Sequence, residues 1–132
     1  MVTSANFPSN YPNNHENTET IRVEEGLVVA LKFTAFDIEY HSDCSYDHLM
    51  IEDGDGTTLM GKKCGDILPA DIVSKSNVVE LHFSTDGSET KSGWSVDWTA
   101  GPKSLGNGGK PSLKEQTQKL VQVDALNLSS SL

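Results

Sequence analysis

The chain is poor in positive charge, in cysteine and in long apolar runs, and each shortage removes a class of function. Its 132 residues carry 10 lysines and arginines against 19 aspartates and glutamates, a formal net charge of −9. Such a chain is repelled by phosphate backbones and anionic headgroups, which argues against nucleic acid or an anionic membrane as partner. No apolar stretch approaches the roughly 20 residues that a membrane-spanning helix needs. Nor does a signal-type apolar core follow Met1, so a cytosolic chain or a fragment separated from its address is the expectation. The two cysteines, Cys44 and Cys64, leave open a disulfide or two buried thiols; their spacing matches neither a redox C-x-x-C nor a zinc knuckle. Catalytic constellations are missing as well. There is no G-x-S-x-G nucleophile turn, and His15, His41, His48 and His82 show no H-E-x-x-H or i, i+4 spacing. The sequence predicts a protein that is not an enzyme.

What is present reads as strands. A chain of this length has room for one domain with one modest core. Residues 1–19, rich in Asn and Pro, read as turns and irregular coil. In "LVVALKF" the period of two places Leu27, Val29, Leu31 and Phe33 on the inner face. "NVVELHF" does the same with Val79, Leu81 and Phe83, leaving Glu80 and His82 outward, and "GWSVDWT" with Trp94, Val96 and Trp98. "HLMIED" is a further strand, and "DGDG" at 53–56 predicts a hairpin turn into "TTLMG". No helical period appears before residue 110, so the expectation is an all-β antiparallel sandwich or barrel. The domain spans about 1–100. Beyond it, 101–132 opens with "GPKSLGNGGKPS", a linker composition, and continues into a tail with a thin amphipathic stripe, either a short helix or disordered. Asn127 begins a glycosylation triplet in that tail.

Negative charge is concentrated in two loops. "FDIEYHSDCSYD" packs Asp37, Glu39, Asp43 and Asp47 into twelve residues, and "STDGSET" adds Asp86 and Glu89 beside Ser88. "DGDGTT" fails as a helix-loop-helix calcium motif, because the sixth position from Asp53 is Thr58 and the twelfth is Cys64. If the two acidic loops meet at one end of a sandwich, they offer the hard oxygen ligands that Ca²⁺ takes; otherwise they are solvated acids.

The order N-F-P-S-N-Y-P, F-D-I-E, C-S-Y-D, C-G and T-D-G-S-E-T-K-S-G-W resembles a CUB domain over residues 3–99. Thr85-Asp86 stands where that family usually has Ser-Asp. The resemblance implies an antiparallel two-sheet β-sandwich of jelly-roll-like type and a secreted, extracellular setting. It also implies a paired Cys44 and Cys64, the family's second bridge. The first bridge is absent: Asn17 and Glu19 stand at the positions of its second cysteine and companion Trp. Calcium-binding members hold the ion through residues matching Glu39, Asp47, Asp86 and the Ser88 turn, with Tyr11 as the supporting tyrosine. Glu89 stands at the last ligand slot, where that family commonly has Asn or Gly, which leaves its ligation open.

The resemblance therefore implies a non-catalytic recognition module whose calcium loops capture a Lys side chain of an extracellular protein. Tyr40, His41 and Ser88 would form the rim beside the ligands. An ammonium fits between several carboxylate oxygens where the planar fork of Arg does not. The alternative is a spermadhesin-like module that binds glycan or glycosaminoglycan, for which only Lys62 and Lys63 make a small basic face. Self-association is the remaining partner class.

Overall fold

The computed structural model describes residues 1–103; the expected tail helix and the Asn127 triplet lie outside them. Eight strands run in the order β1 (Val2–Thr3), β2 (Glu16–Arg22), β3 (Leu27–Asp37), β4 (His48–Asp53), β5 (Thr58–Lys63), β6 (Ile72–Val73), β7 (Val78–Ser84) and β8 (Gly93–Pro102). They form two antiparallel four-stranded sheets, β1-β8-β3-β6 and β2-β7-β4-β5, with no helix among the described residues. The inner faces meet over Val29, Leu31, Phe33, Leu49, Ile51, Val79, Leu81, Phe83, Trp94 and Val96, all buried. The all-β two-sheet sandwich expected from the sequence is the fold.

Alternation decides which side chains reach that core, because successive residues of a strand face opposite sides. Two departures have physical causes. β3 slips register against β8 between Phe33 and Ala35, leaving Thr34 as an extra residue. Its hydroxyl bonds Ser95 Oγ at 2.9 Å. A bulge of this kind turns the following residues over, so Phe33 and Phe36 both point inward and pack edge to face at 5.7 Å. Trp98 was expected inside but is 38% exposed. It lies opposite Leu31, where the edge strand β6 is two residues long, and it lines an open cleft with Leu31 and Ile72.

The N-terminal stretch is more regular than its composition predicts. Val2–Thr3 add a short edge to β8, and Glu16–Arg22 pair along the whole of β7. Between them the chain is tied to the β8 side: Ser4 N–H donates to the Trp94 carbonyl and Trp94 N–H to Ser4 Oγ. Gly93, at φ +92, permits this approach, since a Cβ there would lie 1.9 Å from Ser4 Oγ. Asn17 and Glu19, where the family's first disulfide and Trp would be, are joined by a 3.2 Å hydrogen bond instead.

Candidate metal centre

Four segments converge at one end of the sandwich. Glu39 leaves β3 just after Ile38, whose backbone pairs with Gly65 in both directions. Asp47 directly precedes β4 and Asp86 follows β7 by two residues. Glu39, Asp47 and Asp86 each bring a carboxylate oxygen within 4.8 Å of the others. Asp47 is fully buried and Glu39 nearly so, at 7% exposure.

The fourth segment is the N-terminal loop, which contributes Tyr11. Its ring is buried and packs edge to face on Phe83 at 5.0 Å. Its hydroxyl donates to Asp47 Oδ2 at 2.6 Å and accepts from Glu39 N–H at 3.0 Å. One phenol thus positions two of the three acids. Asp86 N–H donates to Asp47 Oδ1 at 2.8 Å, and Asn14 N–H donates to the Asp86 carbonyl. Thr85 Oγ1 donates to the Pro12 carbonyl and accepts from His15 N–H, both at 2.8 Å. A hydroxyl is what that position needs, and Thr meets it as Ser would.

The electrostatics are those of a place short of positive charge. Burial, then a hydrogen bond with Glu89 and the charges of Asp47, Asp86 and Glu89, push the Glu39 carboxyl up to about 7. Burial also raises Asp47, against the opposing pull of the Tyr11 hydroxyl and Asp86 N–H. Tyr11 is driven well above the usual phenol range, by burial first and then by its bond to Asp47. Glu39 Oε1 is buried without a hydrogen-bond partner, as are His48 Nδ1 and Trp94 Nε1. A buried, unpartnered oxygen on a carboxylate that clusters with two other acids fits a hard cation, and an all-oxygen donor set favours Ca²⁺ over softer metals.

Of the remaining expected residues, Glu89 and Ser88 touch the acids of this centre. Glu89, at φ +54, places its carboxyl against Glu39. Ser88 is exposed, and its N–H donates to Asp86 Oδ1 at 3.3 Å, closing the turn. Tyr40 is 71% exposed and lies over Gly65. His41 engages its own loop: Nδ1 lies 2.5 Å from Asp43 Oδ1, and the ring stacks on Tyr46 with centroids 4.1 Å apart. Cys44 and Cys64 form a disulfide with a Cα separation of 5.5 Å that closes this loop onto the end of β5. Asp37 and Asp43 stand outside the ligand group.

Sequence reasoning missed Asp53 as a structural acid in the "DGDG" hairpin. It is buried, and it accepts from Lys75 N–H, Ser76 N–H, Ser76 Oγ and Asp55 N–H. Those bonds outweigh its burial and keep its pKa low. The only signal in the sequence is position: Asp53 falls on the inward side of the Leu49, Ile51 alternation.

The CUB domain family matches residues 1–98. Tolloid-like protein 1 of Mus musculus is 39% identical over 100 residues, covering 74% of this chain but 10% of that protein. The MASP-1 CUB2 domain bound to Ca²⁺ is 35% identical with a TM-score of 0.68, over 74% of this chain and 88% of that one. The full extracellular region of zebrafish Gpr126/Adgrg6 aligns at 28% identity and a TM-score of 0.69, over 75% of this chain and 13% of that one.

Proposed function

The chain belongs to the CUB domain family, and from that premise we propose that it is an extracellular module binding protein partners through a calcium centre. CUB domains are non-catalytic interaction modules, and that much of the expectation stands. The observation that carries the calcium reading is the triad of carboxylates closed to within 4.8 Å, one of whose members, Glu39, has a buried oxygen without a partner. The Ca²⁺-bound MASP-1 domain of the same fold supports it. Its localisation follows the aligned extracellular region of the zebrafish protein.

Glu39, Asp47 and Asp86 would hold the ion, with the Ser88 turn and Glu89 completing the loop. Ca²⁺ would supply the charge that lets these acids ionise together. Tyr11 keeps Asp47 oriented and excludes water beneath the centre. Three other N-terminal contacts, Asn14 to Asp86, Thr85 to Pro12 and Thr85 to His15, couple the ligand loops to residues 12–15. The centre thereby braces the segment that lacks the family's first disulfide. The half-buried Asp86 and the exposed Glu89, with Tyr40, His41 and Ser88 at the rim, would capture a partner Lys. The ammonium is a compact charge that several oxygens can surround.

Peptides bearing one Lys, and the same peptides with that Lys acetylated, test this reading on the immobilised protein. The unmodified peptide binds in millimolar Ca²⁺, not in chelator, and acetylation removes the binding. Equal retention with and without calcium contradicts it.

A further inference from the structure

The outer face of the β2-β7-β4-β5 sheet carries a polar cleft of about 360 Å³. Its floor is laid down by strand register: Glu16, Ser84 and His48 stand in one row across three strands, and Thr18, His82 and Met50 in the next. Lys62 of β5 closes one side. We propose that this cleft receives a carboxylate side chain of the same protein partner whose Lys the calcium loops capture, an inference that rests on the function proposed above.

Three observations point there. Lys62 is exposed, and among the described residues it forms no ion pair, in a chain of net charge −9. His48 lines the cleft with Nδ1 buried and without a hydrogen-bond partner. His82 is already engaged, by Thr18 Oγ1 at 2.9 Å and Glu52 Oε1 at 3.5 Å, so it and the buried His48 shape the wall while Lys62 remains to meet a ligand.

Position joins the cleft to the calcium centre. His48 follows Asp47 directly, and Ser84 precedes Asp86 by two residues. The cleft and the calcium loops thus share the ends of β4 and β7. The charges around it choose the ligand: Glu16 lines it and Glu52 lies behind His82. A polyanion meets those acids and the ligand carboxylates together and is repelled, whereas one carboxylate can pair with Lys62 alone. A partner offering Lys and an acid in tandem is then distinguished from one offering Lys alone.

The cleft is tested first without the lysine. N-acetylglutamate is titrated into the isotopically labelled protein, in chelator and in Ca²⁺, and followed by NMR. The ring signals of His48 and His82 and the Ser84 amide should move in both conditions, should stay still in Lys62→Gln, and should move normally in Lys63→Gln. No movement in the native protein, or the same movement in Lys62→Gln, overturns the proposal. So does a sulfated heparin fragment that moves these signals at lower concentration, which makes the cleft a glycan site. Peptides with Lys and Glu separated by zero to several Gly are then compared with their Gln counterparts in Ca²⁺. One spacing should bind tighter by about fivefold, as a partly exposed ion pair gives, and Lys62→Gln should erase that gain. If N-acetylglutamate binds but no Lys peptide does, the carboxylate cleft stands and the lysine reading fails.

Discussion

Tyr11→Phe isolates the contribution of one oxygen to the end of the fold that holds the candidate centre. The ring keeps its buried, edge-to-face place on Phe83 at 5.0 Å, so no cavity opens. The change removes the 2.6 Å bond donated to Asp47 Oδ2 and the acceptor for Glu39 N–H at 3.0 Å. At 1% exposure no water replaces the hydroxyl. A buried hydrogen bond to a charged group is worth about 1.5–3 kcal/mol, and an orphaned buried N–H costs about 1–3. The sum is about 4 kcal/mol, a loss of about three powers of ten in the folding constant and a fall in Tm of about 20 °C for a domain this size. Urea unfolding in chelator measures it: the midpoint falls while the slope m stays constant. Tyr46→Phe is the control, since Tyr46 is 46% exposed and should change stability by less than about 0.5 kcal/mol. A Tyr11→Phe midpoint no lower than that of Tyr46→Phe refutes the reasoning.

Other expected outcomes follow from the same contacts. Glu39→Gln should stabilise the metal-free protein at neutral pH while removing calcium binding. The folded pKa of Glu39 near 7 lies above its ordinary value of 4.5, so its ionisation costs the fold stability as pH rises through that window. The wild-type deficit relative to Glu39→Gln, measured in chelator, should vanish as pH falls toward 4.5; a deficit independent of pH contradicts this. Native protein should show no thiol reactive with Ellman's reagent, and replacing Cys44 and Cys64 by Ser, which opens a loop of sequence separation 20, should cost about 3 kcal/mol in the chain-entropy account. Asp53→Ala should destabilise the fold by about 3 kcal/mol, because several buried donors lose their acceptor, while the calcium isotherm is unchanged. Asp47→Ala should abolish calcium binding and speed amide exchange at Tyr11 and Asn14; protection there equal to wild type would detach the N-terminal segment from the centre.

Strands buried on one face were legible, because β3 and β7 alternate in plain apolar residues. β2 was not: its inward positions Asn17 and Glu19 are polar, so an edge strand read as coil. The Thr34 bulge was equally hidden, since "FTAF" places Phe33 and Phe36 on opposite faces under strict alternation. At the site, spacing alone yielded two acidic loops that either hold a metal or face water. Motif order singled out Glu39, Asp47 and Asp86, and the fold gathers those three. The bond from Tyr11 to Asp47 crosses 36 positions, and that from Ser76 to Asp53 crosses 23. Nothing local in the sequence distinguishes an acid facing backbone amides from an acid facing an ion.

Calorimetric titration of chelator-treated protein with CaCl₂, run beside Glu39→Gln, tests the calcium centre most directly. The account predicts one saturable site per chain with Kd of about 10⁻⁵ to 10⁻³ M, in keeping with extracellular modules, and no site in Glu39→Gln. No saturable heat in the wild type, or an unchanged isotherm in the variant, would contradict it.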